Sequence, residues 1–304
     1  MKIGLKEMLS SQRANGLQSM IEKASRIIKN AKHLTAFTGA GVSVESGIPP
    51  FRGDTGLWSK YNPIVLDIDY FHKNPLAAWK VIKEIFYDFF GEAKPNRAHY
   101  ALAELEQLGI LKSIITQNID NLHQQAGSKE VYEFHGTSQS LVCEKCFAQY
   151  HPSTVDLGLL PPKCSVCETV LKPDFVFFGE QIPEPARSNS FGEGSKADVF
   201  LLIGTTGEIM PASLIPHQAK RNGATIIEVN VERTNFTESI TDYFLKGKAT
   251  DVMNNLINNI FNNDISLKAI ATLELVVEQR LDWIAYNLSY FTKNISRIND
   301  ENAV

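Results

Sequence analysis

Short apolar runs that alternate with helical segments constrain the fold of this chain more than any other feature. Five runs of strand length occupy residues 34–38, 114–117, 131–136, 200–204 and 226–230. Helical segments are predicted over residues 17–28, 96–108, 211–222 and 251–261. Buried strands separated by helices are typical of a mostly parallel sheet that helices cover on both faces. We therefore expect an α/β protein with a Rossmann-like core.

The composition excludes several classes of protein. With 304 residues, of which 43% are hydrophobic, the chain can bury a large core. A net charge of −4 argues against a protein that grips nucleic acid through a basic surface. No apolar run approaches the ~20 residues that cross a bilayer, and no signal-peptide pattern is found, so we expect a cytoplasmic protein without a membrane partner.

Two stretches interrupt the alternation of strands and helices. Residues 51–93 are rich in aromatic side chains, and residues 141–174 contain all four cysteines. We expect the two insertions to form one smaller module beside the sheet. A cleft that encloses a ligand would then lie between the sheet and this module.

The four cysteines form two Cys-x-x-Cys pairs, Cys143/Cys146 and Cys164/Cys167. Two such pairs supply the four thiolates that zinc binds in tetrahedral geometry, and four protein ligands leave no position open for catalysis. We therefore predict one structural Zn²⁺ ion. A redox-active pair is disfavoured by the prolines before the second pair, and a nucleic-acid-binding ribbon is disfavoured by the acidic balance of the chain.

A glycine-rich segment follows the first strand. At Gly39 and Gly41 the absence of Cβ lets backbone N–H groups approach a pyrophosphate, and the N-terminus of a following helix would add partial positive charge. Val44 stands where the usual dinucleotide fingerprint has its third glycine. The segment continues to Phe51 and Arg52, which we expect on a mobile lid over a charged ligand.

Polar side chains follow two other strands of the predicted sheet. Asn118 and Asp120 come after the second strand, and His135 comes after the third. Ligands of open parallel sheets bind at these carboxyl ends. The structural alternatives are that Asn118 or Asp120 caps a helix and that His135 is a structural residue at a strand end.

Taken together, these segments resemble the sirtuin family in its bacterial, zinc-containing type. The resemblance covers about residues 17–262. It rests on the order and spacing of the segments 39–53, 117–123, 126–127, 135–136, the two cysteine pairs, 178–180, 204–206 and Asn230. The sequence Gly204-Thr205-Thr206 departs from the family's usual Gly-Thr-Ser but retains the hydroxyl.

The resemblance implies an NAD-dependent protein-lysine deacylase with two domains. The large Rossmann-like part would comprise residues 17–50, 94–140 and 175–264. The small domain would combine a helical insert at 51–93 with a zinc ribbon at 141–174. Residues 1–264 would form the catalytic domain, and residues 265–304 a C-terminal helical extension.

The resemblance also implies roles for individual residues in NAD binding. Gln117 would hold the nicotinamide ribose, and Asn118 and Asp120 would form the nicotinamide pocket. Phe51 and Arg52 would lie on the lid side of the cofactor. The other cofactor-binding residues would be Gly39, Ala40, Gly41, Gly204, Thr205, Thr206, Asn230, Val231, Glu232 and Ala249.

The catalytic residues implied by the resemblance are His135 and Asn118. NAD would be consumed, because the acyl oxygen attacks the nicotinamide ribose and nicotinamide leaves. His135 would then act as the general base on a ribose hydroxyl, for which an unperturbed pKa near 6.5 is suitable. The products would be free lysine, O-acyl-ADP-ribose and nicotinamide.

The acyl-lysine protein substrate would lie between the domains as an extended strand, paired with residues 176–179 and 207–209. Val176, Phe178 and Gly179 would be its binding residues. Sirtuins that remove acidic acyl groups carry a Tyr and an Arg at the positions that, counted from Trp79, are Ile82 and Ile85 here. Apolar residues at both positions predict neutral acyl groups, acetyl or longer.

Other functions remain open at this stage. An NAD hydrolase or mono-ADP-ribosyltransferase would use the same scaffold, and a nucleotide-sensing or scaffolding protein would bind NAD without turnover. Apolar residues three or four apart over 265–304 predict a helix with one apolar face. That face would pack on the protein's own body or mediate self-association.

Overall fold

The structure, a computed structural model, describes residues 2–53 and 56–261, with side chains from residue 16 onward except that of Phe89. The chain divides into two compact units, Met1–Ile257 and Asn258–Val304. The second unit is described only over residues 258–261. The predicted domain boundary after residue 264 and the predicted extension 265–304 therefore lie outside the described residues, and both stay predictions.

Nine strands form two sheets in the first unit, as far as the structure describes it. They are β1 (Leu34–Thr38), β2 (Leu111–Thr116), β3 (Val131–Glu133), β4 (Gly136–Val142), β5 (Gln149–Tyr150), β6 (Lys172–Phe175), β7 (Val199–Ile203), β8 (Thr225–Asn230) and β9 (Tyr243–Lys246). The larger sheet has the order β3-β2-β1-β7-β8-β9, and all its neighbouring strands are parallel. This confirms the predicted Rossmann-like sheet.

The sixth strand of this sheet, β9, is absent from the sequence-based prediction. It is a four-residue edge strand that pairs only with β8, and Leu245 is its one buried residue. Its sequence, Tyr-Phe-Leu-Lys, is rich in strand-forming residues, but the apolar run is only three residues long. A run this short does not distinguish a strand from other buried structure by its pattern alone.

The α-helices of the described chain are α1 (Lys2–Lys29), α2 (Leu57–Lys60), α3 (Ile68–Lys73), α4 (Pro75–Ile82), α5 (Arg97–Gln107), α6 (Leu122–Gln125), α7 (Ala186–Lys196) and α8 (Leu214–Arg221), with a further helix from residue 249. Those that cover the two faces of the large sheet include α1, α5, α7 and α8, whereas α2, α3 and α4 belong to the helical insert. On one face, Phe37, Ile115 and Leu202 form a core with Ile215 of α8. On the other, α1 and α5 bury their apolar sides. No helix among the described residues combines the length and apolarity needed to span a bilayer.

The two predicted insertions share one hydrophobic core, as expected. It joins Trp79 and Phe86 of the helical insert to Leu141, Leu171 and neighbouring residues of the antiparallel sheet β5-β4-β6. The indole nitrogen of Trp79 donates to the carbonyl oxygen of Leu171 across 2.8 Å. A π-helical segment, Lys83–Phe89, continues α4 in this insert.

Candidate active site

A cavity of about 820 Å³ opens at the carboxyl edge of the parallel sheet. Parallel strands present their carboxyl ends at one edge, so the loops after β1, β2, β7 and β8 meet there. The volume is within the range of about 300–1,000 Å³ that is usual for small-molecule sites. The predicted site residues on its wall are Gly39, Ala40, Gly41, Phe51, Arg52, Gln117, Asn118, His135, Gly204, Thr205, Thr206, Asn230, Val231 and Ala249.

Glycines bring the turns after β1 and β7 into direct contact. A Cβ on Gly41 would lie 2.6 Å from the Cα of Gly204, and a Cβ on Gly39 would lie 2.9 Å from its carbonyl oxygen. Gly204 itself has a φ of +62°, a conformation that favours glycine. The N–H of Gly41 donates to the carbonyl of Gly204 across 2.8 Å. This wall of the cavity is therefore formed by backbone.

Unpaired backbone donors lie on the same wall. The N–H groups of Ala40, Thr205 and Thr206 donate to no acceptor within the described residues. Clustered backbone N–H groups of this kind bind anions. The sequence also predicted the N-terminus of a helix after β1. This prediction was wrong, because two short 3₁₀ turns, Ala40–Val42 and Val44–Ser46, follow the strand.

The loop after β2 contributes side chains to the cavity. Asn118 Nδ2 donates to Ser43 Oγ across 3.0 Å, and Ser43 Oγ donates to Asp120 Oδ2 across 2.7 Å. Asp120 lies behind the cavity wall, where its Oδ1 accepts the N–H of Leu122, so it also caps a turn as the structural alternative anticipated. Burial raises the pKa of Asp120, while the hydrogen bonds that its carboxylate accepts oppose the shift.

Two buried histidines pack behind this loop, with ring centroids 4.9 Å apart. His99 Nε2 lies 3.5 Å from Ser43 Oγ, and His123 Nε2 lies 2.9 Å from Thr38 Oγ1. Burial lowers the pKa of His99 to about 4 and the pKa of His123 well below its ordinary value. Both rings are therefore uncharged at neutral pH. Sequence reasoning missed this pair, because α5 and α6 bring the two residues together only in the fold.

His135 lies between β3 and β4 and contributes to the cavity wall. Its Nδ1 is 3.1 Å from the carbonyl oxygen of Gln117, and since a carbonyl oxygen only accepts, Nδ1 carries the proton. Nε2 is then the basic nitrogen of the neutral ring. Burial lowers the pKa of His135, so the expected unperturbed value was wrong, although the ring is neutral at neutral pH.

The segment 176–179 lies beside the cavity and is tied to its wall. The N–H of Val176 donates to the carbonyl of His135 across 2.8 Å. Phe178 is held on both sides, because its N–H donates to Leu66 and its carbonyl accepts from Ile68. Val176, Phe178 and Gly179 do not themselves line the cavity.

Unpaired backbone groups remain on two segments of the described chain. The carbonyl of Val176 and both backbone groups of Gly179 have no hydrogen-bond partner within the described residues. The same is true of the N–H and carbonyl groups of Gly207 and Glu208. Unpaired edges of this kind accept an added strand.

The four cysteines converge in the small module. Their Sγ atoms lie within 4.8 Å of one another, and three of the Sγ–Sγ distances are 3.4, 3.5 and 3.6 Å. A tetrahedral ion with Zn–S bonds of ~2.3 Å places its sulfurs about 3.8 Å apart. The two pairs form matching turns, in which the residue after each pair donates its N–H to the first cysteine's carbonyl. The cluster fits one structural Zn²⁺.

Comparisons with known proteins agree with this geometry. The model of the Sir2 family matches residues 39–211. An NAD-dependent protein deacylase of Thermococcus sibiricus is 44% identical over 247 residues, which cover 78% of this chain and 95% of the relative. The chain belongs to the Sir2 family.

Solved structures of Sir2 proteins share the fold of this Sir2-family chain. A Sir2 homologue in complex with NAD has a TM-score of 0.74 and is 40% identical, covering 80% of this chain and 94% of that one. A Sir2 protein with a p53 peptide and NAD⁺ has a TM-score of 0.72 and is 33% identical, covering 77% of this chain and 95% of that one.

The far end of the cavity in this Sir2-family chain is formed after β8 and β9. Asn230 Nδ2 donates to the carbonyl of Thr205 across 3.1 Å, while Val231 and Ala249 line the wall. Glu232, predicted to bind the cofactor, does not line the cavity, and its carboxylate pairs with Lys246 at 3.0 Å.

Several lining residues were missed by sequence reasoning: Val44, Glu45, Pro50, Val229, Gly247 and Lys248. Glu45 Oε2 accepts the N–H and the hydroxyl of Thr250, and Glu45 Oε1 lies 3.6 Å from Lys248 Nζ. Glu45 therefore ties the first loop of the cavity to its last. The sequence signal that could have identified Glu45 was its position inside the glycine-rich segment.

The predicted lid contacts two other segments. Phe51 packs against Trp58, with ring centroids 5.4 Å apart. Arg52 Nε lies 3.4 Å from Glu208 Oε2, and both side chains are exposed by nearly half. On the opposite wall, Gln117 Nε2 donates to Thr205 Oγ1 across 2.9 Å, which joins the loops after β2 and β7.

Proposed function

We propose that this Sir2-family protein is an NAD-dependent protein-lysine deacylase that removes neutral acyl groups. NAD is the co-substrate, and the products are nicotinamide, O-acyl-ADP-ribose and free lysine. The observation that carries the proposal is the placement of His135, with an oriented and uncharged ring, in the same cavity as the glycine-built wall. The relatives named as NAD-dependent deacylases support it.

NAD binding is supported by the distribution of donors along the cavity. The N–H groups of Ala40, Thr205 and Thr206 would hold the pyrophosphate, together with Arg52 from the lid. Asn230, Val231 and Ala249 would contact the adenosine half. Glu232 would not contact NAD directly, because its carboxylate pairs with Lys246 and does not line the cavity.

The nicotinamide half would be bound between Gln117 and Asn118. Asn118 lines the cavity, and its amide is oriented by Ser43, which in turn donates to Asp120. Asp120 would therefore act through Ser43 and Asn118. In this arrangement Asn118 has a fixed orientation towards the bond that breaks.

His135 would remove the proton from a ribose hydroxyl. Because the carbonyl of Gln117 holds the Nδ1 proton, Nε2 is the nitrogen that accepts the proton from substrate. The lowered pKa of His135 keeps the ring in its basic form at neutral pH. When protonated, the ring would still donate through Nδ1 to Gln117 and would keep its orientation.

The acyl-lysine protein would pair with the unpaired backbone of Val176, Gly179, Gly207 and Glu208. Backbone pairing reads little of the sequence around the lysine, so we expect many substrates. The p53 peptide bound to a related Sir2 protein supports a peptide substrate. Phe178, which is 48% exposed, would pack against the acyl-lysine stem.

The preference for a neutral acyl group rests on the resemblance, in which Ile82 and Ile85 stand where the sirtuins that remove acidic acyl groups carry a Tyr and an Arg. Both side chains are buried in the core of the small module, and neither offers a donor to a carboxylate. Deacetylation and desuccinylation of the same peptide test this point. Faster desuccinylation would overturn the neutral preference and leave the deacylase proposal standing.

One experiment tests the reaction itself. The full chain is incubated with NAD and a mixed acyl-lysine peptide library, and the products are identified by mass spectrometry. We expect deacylated peptide and O-acyl-ADP-ribose in equal amounts. Nicotinamide release at the same rate without peptide would instead identify an NAD hydrolase, and ADP-ribosylated peptide would identify a mono-ADP-ribosyltransferase.

We also propose a cytoplasmic location and self-association through residues 265–304. The four cysteines are unpaired and suited to zinc, which favours a reducing compartment. Cell fractionation tests the location.

The apolar repeat in residues 265–304 supports self-association, and sedimentation velocity of the wild type against Leu281→Glu tests it.

A further inference from the structure

A buried lysine lies next to the segment proposed to hold the substrate. Lys172, the first residue of β6, has a side chain that is only 6% exposed. A buried ammonium group is costly unless its donors are satisfied by nearby acceptors. Lys172 meets this condition, because its Nζ donates to the carbonyls of Pro173 at 3.0 Å and Phe175 at 2.9 Å and lies 3.1 Å from Glu180 Oε2.

Glu180 extends this arrangement to the other end of the segment. The same Oε2 accepts the N–H of Phe177 across 2.7 Å, and the N–H of Glu180 donates to the carbonyl of Phe177. Lys172 Nζ also lies 4.6 Å from the centroid of the Phe177 ring. We call Lys172 and Glu180 the clamp, because together they hold residues 173–180 from both ends.

The clamp occupies backbone groups other than those proposed to pair with the substrate. It binds the carbonyl of Phe175 and the N–H of Phe177, whereas the carbonyl of Val176 and the backbone groups of Gly179 stay unpaired. No other charged side chain among the described residues hydrogen-bonds to the backbone of residues 175–179. A preformed edge lowers the entropy cost of adding a strand.

We propose that the clamp is a positioning device that sets the affinity of the protein for its peptide substrate and leaves the affinity for NAD unchanged. The inference rests on the proposed function. It adds two residues, Lys172 and Glu180, that act through the backbone of residues 176–179 without touching substrate. Because they act on backbone, their effect is the same for peptides of unrelated sequence.

The test compares KM for an acetyl-lysine peptide with KM for NAD. Lys172→Met keeps the length of the side chain and removes its charge and donors. We expect KM for peptide to rise about tenfold, and KM for NAD and kcat to stay within about twofold of the wild type. In Lys172→Arg, which keeps the charge, we expect KM for peptide to return most of the way to the wild-type value. Lys196→Met is the matched control, since Lys196 also pairs with a glutamate but its side chain is 62% exposed.

A second variant covers the case in which Lys172→Met does not fold. Glu180→Gln leaves Lys172 its two carbonyl acceptors and retains an oxygen for the N–H of Phe177. We expect a rise of about threefold in KM for peptide, with the zinc content and melting temperature of the wild type. An unchanged KM for peptide in a folded variant, or an equal rise in KM for NAD, overturns the clamp. Absence of deacylation by the wild type overturns the proposed function instead.

Discussion

The two halves of the cavity stand at the edge of the same sheet but are built from different parts of the chain. The nucleotide half, formed by the turns after β1 and β7, is backbone packed so closely that Gly41 and Gly204 have no room for a Cβ. The catalytic half, formed after β2 and β3, consists of side chains such as Asn118 and His135. Substitutions that add atoms should therefore impair the nucleotide half most. Substitutions that remove functional groups should impair the catalytic half most.

Burial also acts differently in the two halves. In the catalytic half it lowers the pKa of His135, His99 and His123, so three imidazoles are kept neutral around one loop. The nucleotide half has no titratable side chain among Gly39, Ala40 and Gly41 or Gly204, Thr205 and Thr206. We therefore expect acid to act on turnover and stability through the catalytic half.

Removal of the imidazole at position 135 should have the largest effect. In His135→Ala we expect deacylation to fall ~10²–10⁴-fold, since the general base is lost, while NAD binds as before because the nucleotide half is unchanged. Steady-state rates and calorimetric titration with NAD measure the two quantities. His72→Ala, at an exposed histidine of the small module, is the control. Normal turnover in His135→Ala would remove His135 from the mechanism.

Addition of one methyl group to the nucleotide half should have the next largest effect. In Gly41→Ala the new Cβ would meet the Cα of Gly204 at 2.6 Å, so the two turns must separate. We expect KM for NAD to rise about 5- to 150-fold, which corresponds to the ~1–3 kcal/mol typical of overpacking. Gly192→Ala in α7 is the control, since nothing lies within 4 Å of its Cβ position. If Gly41→Ala bound NAD normally, the contrast between the halves would fail.

Much of this contrast was predictable from the sequence, and the reason differs between residues. Gly41 was found because a glycine-rich segment follows the first strand, and His135 because its position after the third strand matches the resemblance to the sirtuin family. Neither the contact between Gly41 and Gly204 nor the pairing of His99 with His123 was found, because each joins residues far apart in the chain. The lowered pKa of His135 was missed for the same reason, since burial is a property of the fold.

Acid should destabilise the protein through the histidines of the catalytic half. The pKa of His99 is about 4 in the folded protein and about 6.5 when unfolded, so the unfolded chain binds a proton first as the pH falls. The contribution of His99 to the free energy of unfolding is fully present above pH 6.5. It is lost as the pH falls from 6.5 to 4, and the loss amounts to about 3 kcal/mol. Urea unfolding at several pH values measures it.

A variant assigns that loss of stability to His99. His99→Gln keeps an acceptor for the N–H of Asn96, which His99 Nδ1 accepts at the start of α5, but has no titrating group. The fall in stability between pH 6.5 and 4 should be smaller in His99→Gln by about the same 3 kcal/mol. An unchanged pH dependence would mean that His99 is already protonated in the folded state at these pH values.

The smallest effect is expected for Thr206→Ser, which restores the family's usual residue in the nucleotide half. Thr206 contributes an unpaired N–H to the cavity wall, and its hydroxyl makes no hydrogen bond within the described residues. Because the recognition group is backbone and the hydroxyl is retained, KM for NAD should change less than about twofold. Thr205→Val gives the contrast, since it removes the hydroxyl that accepts from Gln117 and so disturbs the junction of the two halves. If Thr206→Ser changed KM for NAD more than Thr205→Val did, the nucleotide half would depend on side chains as the catalytic half does.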